Sequence, residues 1–146
     1  EGDLPPLGEI KWGVYPAPWG EIDSPERLAA DVESARAALS PARRIGDRQF
    51  FLETGVVQGY VEALAALHAL RELAPEGTLA PDERDEAAAQ FRAYIGALER
   101  SADALPAWER SVTGEPPRYT DDSVELLETL MHNMRETAAE MGVAID

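Results

Sequence analysis

Apolar residues recur every three or four positions over four stretches of this chain, the spacing of one face of an α-helix. The most regular stretch keeps this spacing over three heptads: Val124, Leu127, Met131, Met134, Ala138, Met141 and Ile145. Another shows the same pattern at Phe91, Ile95, Leu98, Ala102 and Leu105. No convincing strand pattern accompanies them. The spacing therefore predicts an all-α protein with four main helices.

Proline, glycine and short polar residues mark the expected helix boundaries. The predicted helices run over 24–39, 47–73, 81–106 and from 122 onward, with short helical turns at 41–45 and 107–112. The first is expected to end near Leu39 because Ser40-Pro41 repeats a start signal. Asp47 is the expected N-cap of the second, and Asp122 with Glu125 resembles a capping box. Because the connections are short, we expect an antiparallel bundle over residues 23–146.

Residues 1–22 have a different composition from the rest of the chain. They contain four prolines and four glycines, which exclude a long helix and predict an extended N-terminal arm. Trp12, Tyr15 and Trp19 lie within this arm. Because such side chains are rarely left in water, they are expected either to pack on the bundle or to anchor a protein partner.

The second predicted helix is the most apolar one. Between Arg48 and Arg71 its only charged residues are Glu53 and Glu62, and we expect this helix to be the most buried. These polar groups argue against a membrane span. Gly55 and Gly59 lie four residues apart on one face, which predicts close approach of another helix there, from this chain or from a second copy in a homodimer.

Charge narrows the classes of partner. The 146 residues include 28 acids and 13 lysines or arginines, for a net charge of −15. Such a charge opposes binding to nucleic acid or to anionic lipid and favours either a basic protein partner or simple solubility. The chain lacks cysteine, and it shows no apolar leader segment, which favours a cytoplasmic location.

The sequence contains few candidates for chemistry. No nucleophile elbow, phosphate-binding loop or metal-ligand motif is present, so neither a metal nor another cofactor is predicted. Three arginines at the start of the second helix form a candidate anion site: Arg43, Arg44 and Arg48. Polar side chains for a pocket between helices two and four are Tyr60, His68, Glu128 and His132. Pairing with acids of neighbouring helices and ordinary surface positions remain the alternatives for both sets.

Two functions of different classes fit these features. The first is a non-enzymatic protein–protein interaction module, an adaptor or an inhibitor of a basic partner, with contacts from the arm and from the acidic faces of helices three and four. The second is a bundle that binds or transforms a small molecule between helices two and four. The lack of catalytic motifs favours the first.

Overall fold

Four α-helices make up most of the described part of the chain. The computed structural model describes residues 25–75 and 77–145, and it contains helices α1 (Pro25–Ile45), α2 (Arg48–Leu73), α3 (Arg84–Thr113) and α4 (Asp121–Glu140). A 3-10 turn at Pro81–Glu83 leads into α3, and this part of the chain contains no strand. The all-α prediction is confirmed for these residues. The predicted arm at 1–22, with Trp12, Tyr15 and Trp19, lies outside them.

Two prolines lie within helices that were expected to end or kink beside them. The first helix does not end near Leu39 but continues through Pro41 to Ile45, and α3 continues through Pro106 to Thr113. Side-chain contacts just beyond each proline explain this. The guanidinium of Arg43 lies 5.5 Å from the ring centre of Phe51, and residues of α3 after Pro106 bond to other elements, as described below. These contacts compensate for the hydrogen bond that a proline removes from a helix.

The start of α2 and the end of α4 are capped by adjoining residues of the chain. Asp47 is the N-cap of α2, as predicted, and its carboxylate accepts a hydrogen bond of 3.0 Å from the Phe50 amide. The helix α4 ends at Glu140 because Gly142 adopts a φ of 68°. The Val143 amide then donates to the carbonyl of Ala138 at 2.8 Å, as in a Schellman motif. Both of these side chains are buried.

The helices pack mainly with their neighbours in the chain, so that α2 lies between α1 and α3, and α3 lies between α2 and α4. The main core joins α2, α3 and α4, and its fully buried side chains include Phe91, Leu98 and Leu127. The helix α1 adds Leu28 and Val32, which are buried outside that cluster. Because α4 packs on α3, its opposite face is left toward solvent.

The helix α2 is central, but it is not the most buried helix. It has six buried residues of 26, whereas α3 has nine of 30. By length and composition alone α2 could cross a membrane, with a mean hydropathy of 1.2 over its most apolar window; core helices of soluble proteins pass the same test. The expectation of greatest burial fails because one side of α2 is left open by the described helices.

Candidate functional site

The outward face of α4 is the most acidic surface on a single described helix. Its buried stripe of leucine, methionine and alanine packs against α3, which turns the remaining positions outward. We call the exposed carboxylates of this helix the α4 acidic face: Asp121, Asp122, Glu125, Glu128, Glu136 and Glu140. The one arginine of α4, Arg135, does not neutralise this face, because it bonds to Glu99 of α3 at 3.0 Å.

The predicted pocket residues lie on two helices that are not neighbours. Tyr60 and His68 belong to α2, which packs on α1 and α3. Glu128 and His132 belong to α4, which packs on α3. Each histidine lies beside a glutamate of its own helix. His68 lies 3.7 Å from Glu72, and His132 lies 3.4 Å from Glu136. The described residues therefore do not gather these four side chains around a common cavity.

Burial changes the acidity of two tyrosines near the predicted pocket. Burial raises the pKa of Tyr94 to about 12. Burial, together with the neighbouring Tyr94, also raises the pKa of Tyr60 far above its usual range. Both phenols therefore stay protonated well above neutral pH.

The three arginines of the candidate anion site point to different surroundings. Arg43 lies over the ring of Phe51, and Arg44 is exposed near the end of α1. Arg48 lines a cavity of about 420 Å³ together with Arg110, at the start of α2. The cavity is lined by Arg48 and Arg110, and by neither Arg43 nor Arg44.

A second cavity, of about 640 Å³, lies between α3 and the C-terminal end of α4. Ile95 and Val143 form part of its apolar lining, and Arg92 and the Glu99–Arg135 pair supply its polar groups. Within residues 25–75 and 77–145, no group of three or more histidine, aspartate or glutamate side chains is placed to hold a metal ion.

Glu62 of α2 connects three helices. Its carboxylate accepts hydrogen bonds from Arg36 of α1 at 2.7 Å and from Arg100 of α3 at 2.5 Å, and Gln58 donates to it at 3.0 Å. Burial acts to raise the pKa of Glu62, but these hydrogen bonds and the charges of the two arginines lower it overall. This carboxylate is therefore ionised at neutral pH and holds α1 and α3 against α2.

Glu109 of α3 organises the turn before α4, a role that the sequence did not reveal. Its carboxylate accepts hydrogen bonds of 2.7–2.9 Å from the amides of Arg118, Tyr119 and Thr120. The Thr120 hydroxyl donates a further bond of 2.7 Å. The side chain of Glu109 is only 3% exposed. The capping box predicted at Asp122 and Glu125 is not formed, because α4 already begins at Asp121 and its N-cap, Thr120, makes no side-chain capping bond.

Gly59 is already in contact with another helix of the same chain. A Cβ added there would meet the Ser101 hydroxyl and would lie 2.6 Å from the carbonyl oxygen of Ala97, both in α3. At Gly55, by contrast, a Cβ would meet no described atom within 4 Å. The close approach predicted from these glycines is therefore made by α3 at Gly59, which leaves Gly55 as the open part of the predicted homodimer face.

No family model, curated protein or solved structure matches this chain.

The hydrogen bonds of Glu62 to α1 and α3 lead to a first prediction. We expect Glu62→Gln to lower the free energy of unfolding by about 1–3 kcal/mol, because two guanidinium groups lose their charged acceptor. Urea unfolding measures this change, and hydrogen exchange should show the largest loss of protection in α1. The control is Glu72→Gln on the same helix, whose side chain is 67% exposed. Equal effects of the two substitutions would contradict the role of Glu62 in holding α1 and α3 against α2.

Proposed function

We propose that this protein is a non-enzymatic interaction module that binds a basic protein partner through the α4 acidic face. The observation that carries the proposal is the charge of this outward surface: α4 has six carboxylates, all exposed, and its one arginine bonds to α3. Complementary charge steers association and selects partners of the opposite sign. The net charge of −15 strengthens the same preference over the whole molecule.

The same proposal includes the arrangement of the helices and the arm. We propose an antiparallel bundle over residues 23–146 with an extended arm at 1–22. Cross-helix pairs support the arrangement, since Glu53 bonds to Trp108 of α3 while Val56, further along α2, bonds to the earlier residue Ser101. The pairs thus advance in opposite directions along α2 and α3.

The alternative function, a small-molecule site between α2 and α4, has no comparable support. Its four side chains are spread over two helices that each pack mainly on α3. It stays a prediction, with a ligand-dependent rise in melting temperature as its test.

The interaction proposal is tested by changing the charge of one face only. We expect the unaltered chain to retain a basic protein at about 50 mM salt, where screening is weak, and to release it at about 500 mM salt, where screening is strong. The triple substitution Glu125→Gln, Glu128→Gln and Glu136→Gln should abolish this capture. Affinity capture with mass spectrometry identifies the retained proteins.

A matched control removes the same number of charges elsewhere. Asp82→Asn, Asp85→Asn and Glu86→Gln remove three carboxylates at the start of α3, two of them within its first turn. This control should keep the partner. Retention by the α4 variant, equal loss from both variants, or capture that does not weaken with salt would refute a site on α4.

A further inference from the structure

The side of α2 that faces away from α3 carries an apolar stripe that no described element buries. We define the α2 stripe by side chains spaced seven, four and three residues apart, which lie on one helix face: Phe50, Val57, Val61 and Leu64. None of them is buried. Only 28% of the most apolar 18-residue window of α2 is buried. An exposed apolar face of this length on a highly charged chain marks a surface that another segment or molecule covers.

Contacts between α1 and α2 show where the preceding chain enters the fold. Arg36 bonds to Glu62, and Arg43, further along α1, lies over the earlier residue Phe51. The two helices therefore run in opposite directions. At a rise of about 1.5 Å per residue, the first residue of α1, Pro25, lies level with the end of α2 near Leu73. The chain before Pro25 thus begins beyond one end of the α2 stripe.

The residues before Pro25 have the length and the side chains to cover this stripe. An extended segment of six residues, from Trp19 to Pro25, spans about 20 Å, which equals the rise of roughly 13 helical residues. Trp19 can thus reach the level of Val61. Trp12 is seven residues further from Pro25 and can reach beyond Phe50. Tyr15 lies between them in the chain.

We propose that residues 1–24 lie along the α2 stripe and cover it with Trp12, Tyr15 and Trp19. The four prolines of this segment favour an extended chain, which suits a long and narrow apolar surface. The covalent link to α1 gives the segment a high effective concentration at the stripe, whereas a second copy of a chain with charge −15 is repelled. The contact is separate from the α4 acidic face and holds whether or not that face binds a partner.

The test uses two valines of similar exposure on different surfaces. Val57 is in the middle of the stripe and is 55% exposed, and Val112 near the end of α3 is 50% exposed. We expect Val57→Asp to expose both arm tryptophans to acrylamide quenching as fully as in a free peptide of residues 1–24. Val112→Asp should leave them shielded. Both variants carry Trp108→Phe, so that the measured tryptophan fluorescence comes only from Trp12 and Trp19.

The same two aspartate variants are also compared by hydrogen exchange of residues 10–20, with Trp108 unchanged. A folding defect caused by Trp108→Phe therefore cannot affect this second measurement. Faster exchange in Val57→Asp alone supports the proposal. Quenching of the unaltered arm at the level of the free peptide, or equal responses to the two aspartates, would overturn it. A concentration-dependent dimer that Val57→Asp dissociates would show that a second copy is the occupant and would also overturn it.

Discussion

Replacing Glu109 by glutamine is expected to lower the melting temperature by roughly 10 °C. The carboxylate accepts four hydrogen bonds in a buried place, whereas the NH2 group of glutamine would face N–H and O–H donors and could accept none of them. The amides of Arg118, Tyr119 and Thr120 and the hydroxyl of Thr120 all point to this one carboxylate. Thermal unfolding by circular dichroism measures the change. Hydrogen exchange should show the greatest loss of protection at the start of α4.

The control for Glu109 is a glutamate of the same region that has no such surroundings. Glu115 is exposed in the loop between α3 and α4. Glu115→Gln is expected to change the melting temperature by less than about 2 °C, as surface substitutions usually do. A comparable loss from both substitutions would mean that the loop tolerates neither change, and that the buried carboxylate has no special role.

The same carboxylate predicts how stability depends on pH. Burial acts to raise the pKa of Glu109, but the hydrogen bonds from the Thr120 hydroxyl and from the amides of Tyr119, Arg118 and Thr120 lower it to about 2, from an ordinary value of 4.5. Because the pKa is lower in the folded state, this stabilisation is complete above pH 4.5 and is lost as the pH falls toward 2. The stability difference between the unaltered chain and Glu109→Gln should therefore narrow over that range. A constant difference would contradict the lowered pKa.

The position of Glu109 shows how far the sequence could predict the site. The seam of α3 continues from Leu105 to Glu109 at the same four-residue spacing, so a charged residue occupies a position where the pattern expects an apolar one. That mismatch was the available signal. Its meaning depends on the turn at 118–120, whose amides and hydroxyl bond to Glu109 only in the folded protein. Periodicity along one helix contains no information about such a contact.

Other parts of the fold followed from local rules, and some did not. The Asp47 cap and the helical character of all four periodic stretches depend on neighbouring residues, and the sequence predicted both. The continuation of helices through Pro41 and Pro106 depends on tertiary contacts, such as the hydrogen bond of 2.9 Å from the Trp108 indole to Glu53. The spacing of Gly55 and Gly59 predicted a close helix approach but could not show which of the two glycines makes it.

That difference between the two glycines leads to opposite expected results for the same substitution. Gly59→Ala is expected to lower the free energy of unfolding by about 2–3 kcal/mol, because the new methyl group would lie 2.6 Å from the carbonyl oxygen of Ala97. Neither this backbone atom nor its helix can move away without separating α2 from α3. Gly55→Ala is expected to raise the free energy by about 0.5–1 kcal/mol, since alanine favours a helix and no described atom lies near.

Urea unfolding of both variants measures the two changes in the same helix, four residues apart. Because helix propensity contributes equally at both sites, the difference between the variants isolates the contact of Gly59 with α3. A third variant, Gly59→Ala with Ser101→Gly, should recover part of the loss, since it removes the Ser101 side chain that the methyl group meets. If Gly59→Ala stabilises the protein as Gly55→Ala does, α3 does not pack against α2 at this point. The register of the two central helices would then be wrong.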